Sequence, residues 1–151
     1  MKALAAIAAV VFALLIAQGC ARQSDTQAPK AKPAEHSHGA GPHGGSIAEW
    51  GRGKYHIEFT VDHDKQEATV FVLGQDAKTP EPVACEKVLL SIREPRFQVD
   101  LAPQPLDGES GGKASRFVGR HEDLGKVQEF AGTITAVVAG TPYAGDFQEQ
   151  P

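Results

Sequence analysis

Residues 54–62 read KYHIEFTVD, and their side chains alternate without a break: Tyr55, Ile57, Phe59 and Val61 fall on one side, His56, Glu58, Thr60 and Asp62 on the other. Successive side chains of an extended chain point to opposite faces, so the pattern predicts a half-buried β-strand. It excludes an amphipathic helix, whose apolar positions recur at a period of about 3.6. EATVFVL, residues 67–73, is apolar on both faces and predicts a central strand. The polar turn at 63–66 joins the two as a hairpin.

The same texture runs to the end of the chain. SIAEW at 46–50 predicts the first strand, with Trp50 as a core anchor and residues 51–53 as its turn. EKVLLSIR (86–93), RFQVDL (96–101), SRFVG (115–119), FAGTITAVVAG (130–140) and TPYAGDF (141–147) follow, the last with Tyr143 and Phe147 on one side. Turn signals DG, GG, EP and PQP separate the segments, and HEDLGKVQ (121–128) is the single helical turn. Short strands at this spacing predict an all-β fold, an antiparallel immunoglobulin-like β-sandwich of about seven or eight strands over residues 46–148.

Ahead of it the composition changes twice. Met1 and Lys2 open a short cationic start, residues 3–17 are unbroken apolar, and Gln18, Gly19 and Cys20 follow. That is the layout of a signal peptide over residues 1–19. The apolar run is shorter than the roughly 20 residues a bilayer span needs. IAQGC resembles the lipobox of bacterial lipoproteins, in which the Cys carries the lipids; Gly19 fits and Ala17 stands where Leu is usual. The resemblance implies palmitate-type acylation at Cys20 and, with Ala21 next, sorting to the outer membrane. Residues 20–45 carry almost no large apolar side chain, so a disordered linker is expected there.

Two cysteines are present. With Cys20 acylated, Cys85 is an odd thiol in an oxidising compartment, expected as a small half-buried residue; without acylation a Cys20 to Cys85 disulfide is open. A net charge of -4 argues against a nucleic-acid partner. GAGPHG (39–44) matches a dinucleotide fingerprint in letters only, because no strand precedes it and no helix follows. GESGGKAS (108–115) lacks both the first Gly and the Ser or Thr of a phosphate loop. No nucleophile elbow occurs, so the chain is expected not to be an enzyme.

HSHGAGPHGG (36–45) is the stretch with chemistry in it. His36 and His38 are one residue apart, His43 can bend back through the glycines, and Glu35 could add an oxygen. Neutral imidazoles suit copper or zinc, with binding expected to weaken below about pH 6.5. A second set lies on the 54–62 strand. His56 and Glu58 share a face about 7 Å apart at Cα, with His63, Asp62 and Asp64 in the adjoining turn, and His43 could join them. The competing reading of His56 and Glu58 is a polar, solvent-facing sheet surface. His121, Glu122 and Asp123 read as a turn.

GPHGGSIAEWGRGKYHIEFTVDHDKQEATVFVLGQDAKTPEPV, residues 41–83, resembles a group of exported bacterial domains. These begin with PHGG, continue into a strand ending in Gly, and show YH-x-E before a hairpin; TPYAGDF is a weaker echo. Such segments are similar to free lipoproteins and to the N-terminal parts of periplasmic adaptor (membrane-fusion) subunits of heavy-metal efflux pumps. The resemblance rests on Pro42, His43, Gly44, Gly45, Tyr55, His56 and Glu58, and it implies metal handling.

The expectation is therefore a lipid-anchored envelope protein of a Gram-negative bacterium, facing the periplasm from the outer membrane. It would bind a transition metal through His36, His38, His43, His56 and Glu58, as a buffer or as an accessory to a heavy-metal efflux pump. The alternative is a non-metal protein-interaction module of the envelope, with an immunoglobulin-like fold and incidental histidines.

Overall fold

The computed structural model describes residues 40–150. Eight strands run in order: β1 (Ser46–Trp50), β2 (Tyr55–Asp62), β3 (Glu67–Leu73), β4 (Val88–Ile92), β5 (Phe97–Pro103), β6 (Arg116–Arg120), β7 (Ala131–Val138) and β8 (Thr141–Gln148). A 3-10 turn, Glu122–Gly125, follows β6 and is capped by His121, whose ring accepts from the backbone N–H of Asp123. Each predicted strand is present. The helical turn and the polar turn at His121, Glu122 and Asp123 are one and the same element.

All strand pairs are antiparallel, in the spatial order β1-β2-β3-β6-β5-β4-β7-β8. The all-β antiparallel expectation holds. The arrangement is one nearly closed, barrel-like sheet, where a sandwich would have two sheets without shared hydrogen bonds, and β5 makes the difference. Its first residues pair with β4 from Phe97 to Leu101, and its last two, Ala102 and Pro103, pair with β6. Gly119 permits that bend, since a Cβ there would stand 2.6 Å from the Leu101 side chain and 2.7 Å from the Asp100 carbonyl oxygen.

The two end strands meet without a shared ladder. A Cβ on Gly145 of β8 would lie 2.6 Å from the Glu49 carbonyl oxygen of β1. Trp50, at the end of β1, is fully enclosed and its indole N–H donates to the Ile134 carbonyl at 3.0 Å. The polar end of its ring is thus satisfied inside the core, as a buried indole requires. Tyr143 stacks against Trp50 and meets Tyr55 edge-on.

The interior is filled by the alternate residues that the pattern predicts: Ile57 and Phe59 of β2, Val70 and Val72 of β3, Leu90 of β4, Leu101 of β5. Phe97, Leu124 and Phe130 belong to the same core. Among the described residues no buried side-chain nitrogen or oxygen lacks a hydrogen-bond partner. None of their helices is long and apolar enough to cross a membrane.

β7 and β8 are joined by two residues, Ala139 and Gly140, at φ 48° and 82°. Positive φ at both central positions is the type I′ turn, whose twist matches that of the strands. Alanine pays a steric cost in that region and asparagine pays less. We predict that Ala139→Asn stabilises the protein by about 0.5–1 kcal/mol. Urea melts would show this as a higher midpoint at unchanged slope.

Candidate functional site

Residues 41–45, expected as the end of the disordered linker 20–45, are structured chain. The Gly44 N–H donates to the Gly41 carbonyl and the Gly41 N–H to the Gly45 carbonyl, both at 2.9 Å. This is a β-turn with Pro42 at its second position, where a ring-fixed φ suits the turn, followed by Gly44 at φ 80°. These five residues are ordered because the turn has somewhere to dock. Residues 1–39, which include the expected signal peptide, Cys20, His36 and His38, lie outside the described residues.

The docking partner is Glu58. Its side chain is fully buried, and its Oε1 accepts the backbone N–H of His43 at 2.7 Å and of Gly45 at 2.9 Å. Oε2 faces the Nδ1 of His43 at 2.7 Å. A carboxylate only accepts, so the His43 ring carries its proton on Nδ1. Imidazole geometry then puts Nε2 on the far side of the ring, and the side chain is 42% exposed. The ring also lies flat on Phe71 of β3, with centroids 3.7 Å apart and planes 8° from parallel. Phe71 is the cross-strand partner of Glu58, so stacking and hydrogen bonding act on the same ring from adjacent strands.

The glycines of the motif are required by close approach. A Cβ on Gly41 would sit 2.5 Å from the Glu58 carboxyl carbon, and one on Gly45 would sit 2.1 Å from the Phe59 carbonyl oxygen. Their supposed role in the sequence, flexibility for metal capture, is a smaller part of what they do. They let a turn lie directly against a strand.

His56 and Glu58 share a face of β2, as alternation predicts, yet both are buried. The expected solvent-facing polar surface is not there, and β2 is covered on both sides. The two side chains also address different neighbours. The Nδ1 of His56 donates to the Gly74 carbonyl at 3.0 Å, and its Nε2 is 4.0 Å from Glu49 Oε1. The carbonyl that receives His56 opens a tight loop held by Asp76. Hydrogen bonds from the Thr79 hydroxyl, then the backbone N–H groups of Thr79 and Lys78, bring the Asp76 carboxyl down to about 2.

The remaining sequence candidates stand apart. His63, in the turn that follows β2, donates to the Leu124 carbonyl at 2.8 Å, and Asp62 pairs with Lys65. Cys85 is a free, buried thiol that donates to the Lys87 carbonyl, and burial pushes it up. Among the described residues, three or more His, Cys, Asp or Glu side chains nowhere gather as a metal-holding group. The structure thus joins His43 to Glu58, leaves His56 with Gly74 and Glu49, and does not bring His63 to either.

What the sequence analysis missed is Phe71 as the platform for His43 and Glu58 as the keystone of the turn. A signal existed: one acidic residue amid apolar strand neighbours, downstream of a Gly-Pro-His-Gly-Gly run that could supply backbone donors. Removing the keystone leaves two backbone N–H groups without their acceptor. We predict that Glu58→Ala costs about 3 kcal/mol, measured by denaturant unfolding, against a change within about 0.5 kcal/mol for the exposed Glu86→Ala.

Nothing among protein-family models, curated proteins or solved structures matches this chain.

Proposed function

We propose that this chain is a lipid-anchored envelope protein that captures a transition-metal ion, copper or zinc, through the imidazoles ahead of β1. It would act in the periplasm as a buffer or as an accessory to heavy-metal efflux. The observation that supports this reading is the state of His43: Nδ1 held by a buried carboxylate, the ring stacked on Phe71, the other edge toward solvent. A histidine whose second nitrogen is fixed by a carboxylate is the usual form of a metal-ligating histidine. His36 and His38 would complete the coordination, and His43 would spare them part of the entropy of ordering three free side chains. His56 serves this reading less well, because its ring is enclosed and turned to Gly74.

Titrating the mature full-length chain with Cu(II) and Zn(II) tests it. The expected result is a dissociation constant well below about 0.1 mM for the wild type, weakened at least about tenfold by His43→Ala and further by alanine at His36 and His38 as well. Weaker wild-type binding, or no change in the triple variant, contradicts the proposal. The anchor is checked separately by the intact mass of the membrane-fraction protein. Acylation at Cys20 is expected, and an unmodified thiol there would remove it.

The second reading, a metal-independent interaction module of the envelope, draws on an exposed apolar pair. Val137 on β7 is 57% exposed, and its cross-strand partner is the exposed Pro142 of β8. Exposed apolar side chains at a sheet end suit a docking surface. A partner retained by the wild type in the presence of chelator, and lost on Val137→Lys, would favour it.

A further inference from the structure

Glu58 has an electrostatic problem that its hydrogen bonds solve only in part. Its side chain is entirely enclosed, and its three donors all come from residues 41–45. Among the described residues the only ionisable group paired with it is His43. With a neutral imidazole the carboxylate keeps its full charge inside the protein with no cation beside it, a costly state. The exposed member of the pair is His43, 42% exposed, and its Nε2 stands across the ring from the nitrogen that meets the carboxylate.

We propose that a divalent transition-metal ion bound at His43 Nε2 clamps the 41–45 turn onto β2, with Glu58 acting as a positioning residue and not as a ligand. The inference rests on the metal-binding reading and adds to it the element that responds. An ion on Nε2 draws electron density from the ring, makes the Nδ1–H a stronger donor to Oε2, and offsets the buried charge. The same carboxylate holds the His43 and Gly45 backbone N–H groups through Oε1. Tightening one bond therefore tightens the whole turn. By linkage, the docked turn binds metal better than the undocked one, and metal stabilises docking by the same factor.

The geometry fits this role better than direct coordination. Oε1 is committed to two backbone donors and Oε2 to Nδ1, so neither oxygen is turned to solvent. The Cβ clash at Gly41 shows how closely the turn covers the carboxyl, with 2.6 Å to Oε1. Phe71, stacked under the ring, keeps it from swinging Nε2 inward.

The test is amide hydrogen exchange on the full-length, 15N-labelled protein at fixed pH, with and without saturating zinc chloride. Exchange at the His43 and Gly45 amides should slow about tenfold with zinc, while the amides of the β2 and β3 ladder keep their rates. Magnesium, which imidazole does not favour, should leave both amides unchanged. In the same samples, ring 15N shifts should report zinc on Nε2 with the Nδ1 proton retained. Glu58→Gln, which keeps an oxygen for the backbone donors but offers Nδ1 an amide, should bind zinc more weakly and lose the slowing. Zinc bound with unchanged exchange at residues 43 and 45, or bound through Nδ1, overturns the clamp and leaves the metal reading standing. Zinc not bound at all overturns both.

Discussion

A carboxylate with no access to water has to be met by donors, and in this protein the donors come from five residues that precede the first strand. Glu58 sits in the middle of β2, on the side of the strand away from Ile57 and Phe59, and it faces out of the core proper. Left bare it would be an ordinary surface acid. The 41–45 turn covers it, satisfies it and is held by it, so a hydrogen-bonded turn becomes a second layer on one patch of the sheet. The details of the turn follow from that contact. Gly41 and Gly45 lack side chains because the carboxyl group and the Phe59 carbonyl occupy their space, and Pro42 and Gly44 shape the chain to fit.

The eight strands were legible because period-2 alternation is a local property. Tyr55 through Asp62 and Phe97 through Leu101 each declare themselves within a few residues. Their assembly into one continuous sheet was not legible, because it depends on contacts between distant segments. β5 changes partner after Leu101, and that turns on Gly119 leaving room beside Asp100. The approach of β8 to β1 turns on Gly145 in the same way. A glycine within a strand hints at a close approach without naming what approaches.

The candidate site was half legible. Alternation correctly put His56 and Glu58 on one face, but periodicity describes a strand's two sides and says nothing of what covers them. Water and a polar second layer leave the same pattern. The glycines around His43 read as slack because loose tethers and tight turns share a composition. Only the distances separate the two: a Cβ at Gly45 would meet backbone, and no rotation of a flexible side chain could relieve that. The expected lipid anchor at Cys20 and the proposed capture role of His36 and His38 are read from the sequence, since those residues lie outside the described part of the chain.

The central claim is that Glu58 fixes His43 in the Nδ1–H form with its ring on Phe71 before any ligand arrives. The most direct measurement is long-range 1H–15N correlation of the histidine rings in metal-free full-length protein at neutral pH, together with proton contacts between His43 and Phe71. A protonated Nδ1, a bare Nε2 and ring contacts to Phe71 are predicted. A His43 ring with its proton on Nε2 and no contact to Phe71 would contradict the account.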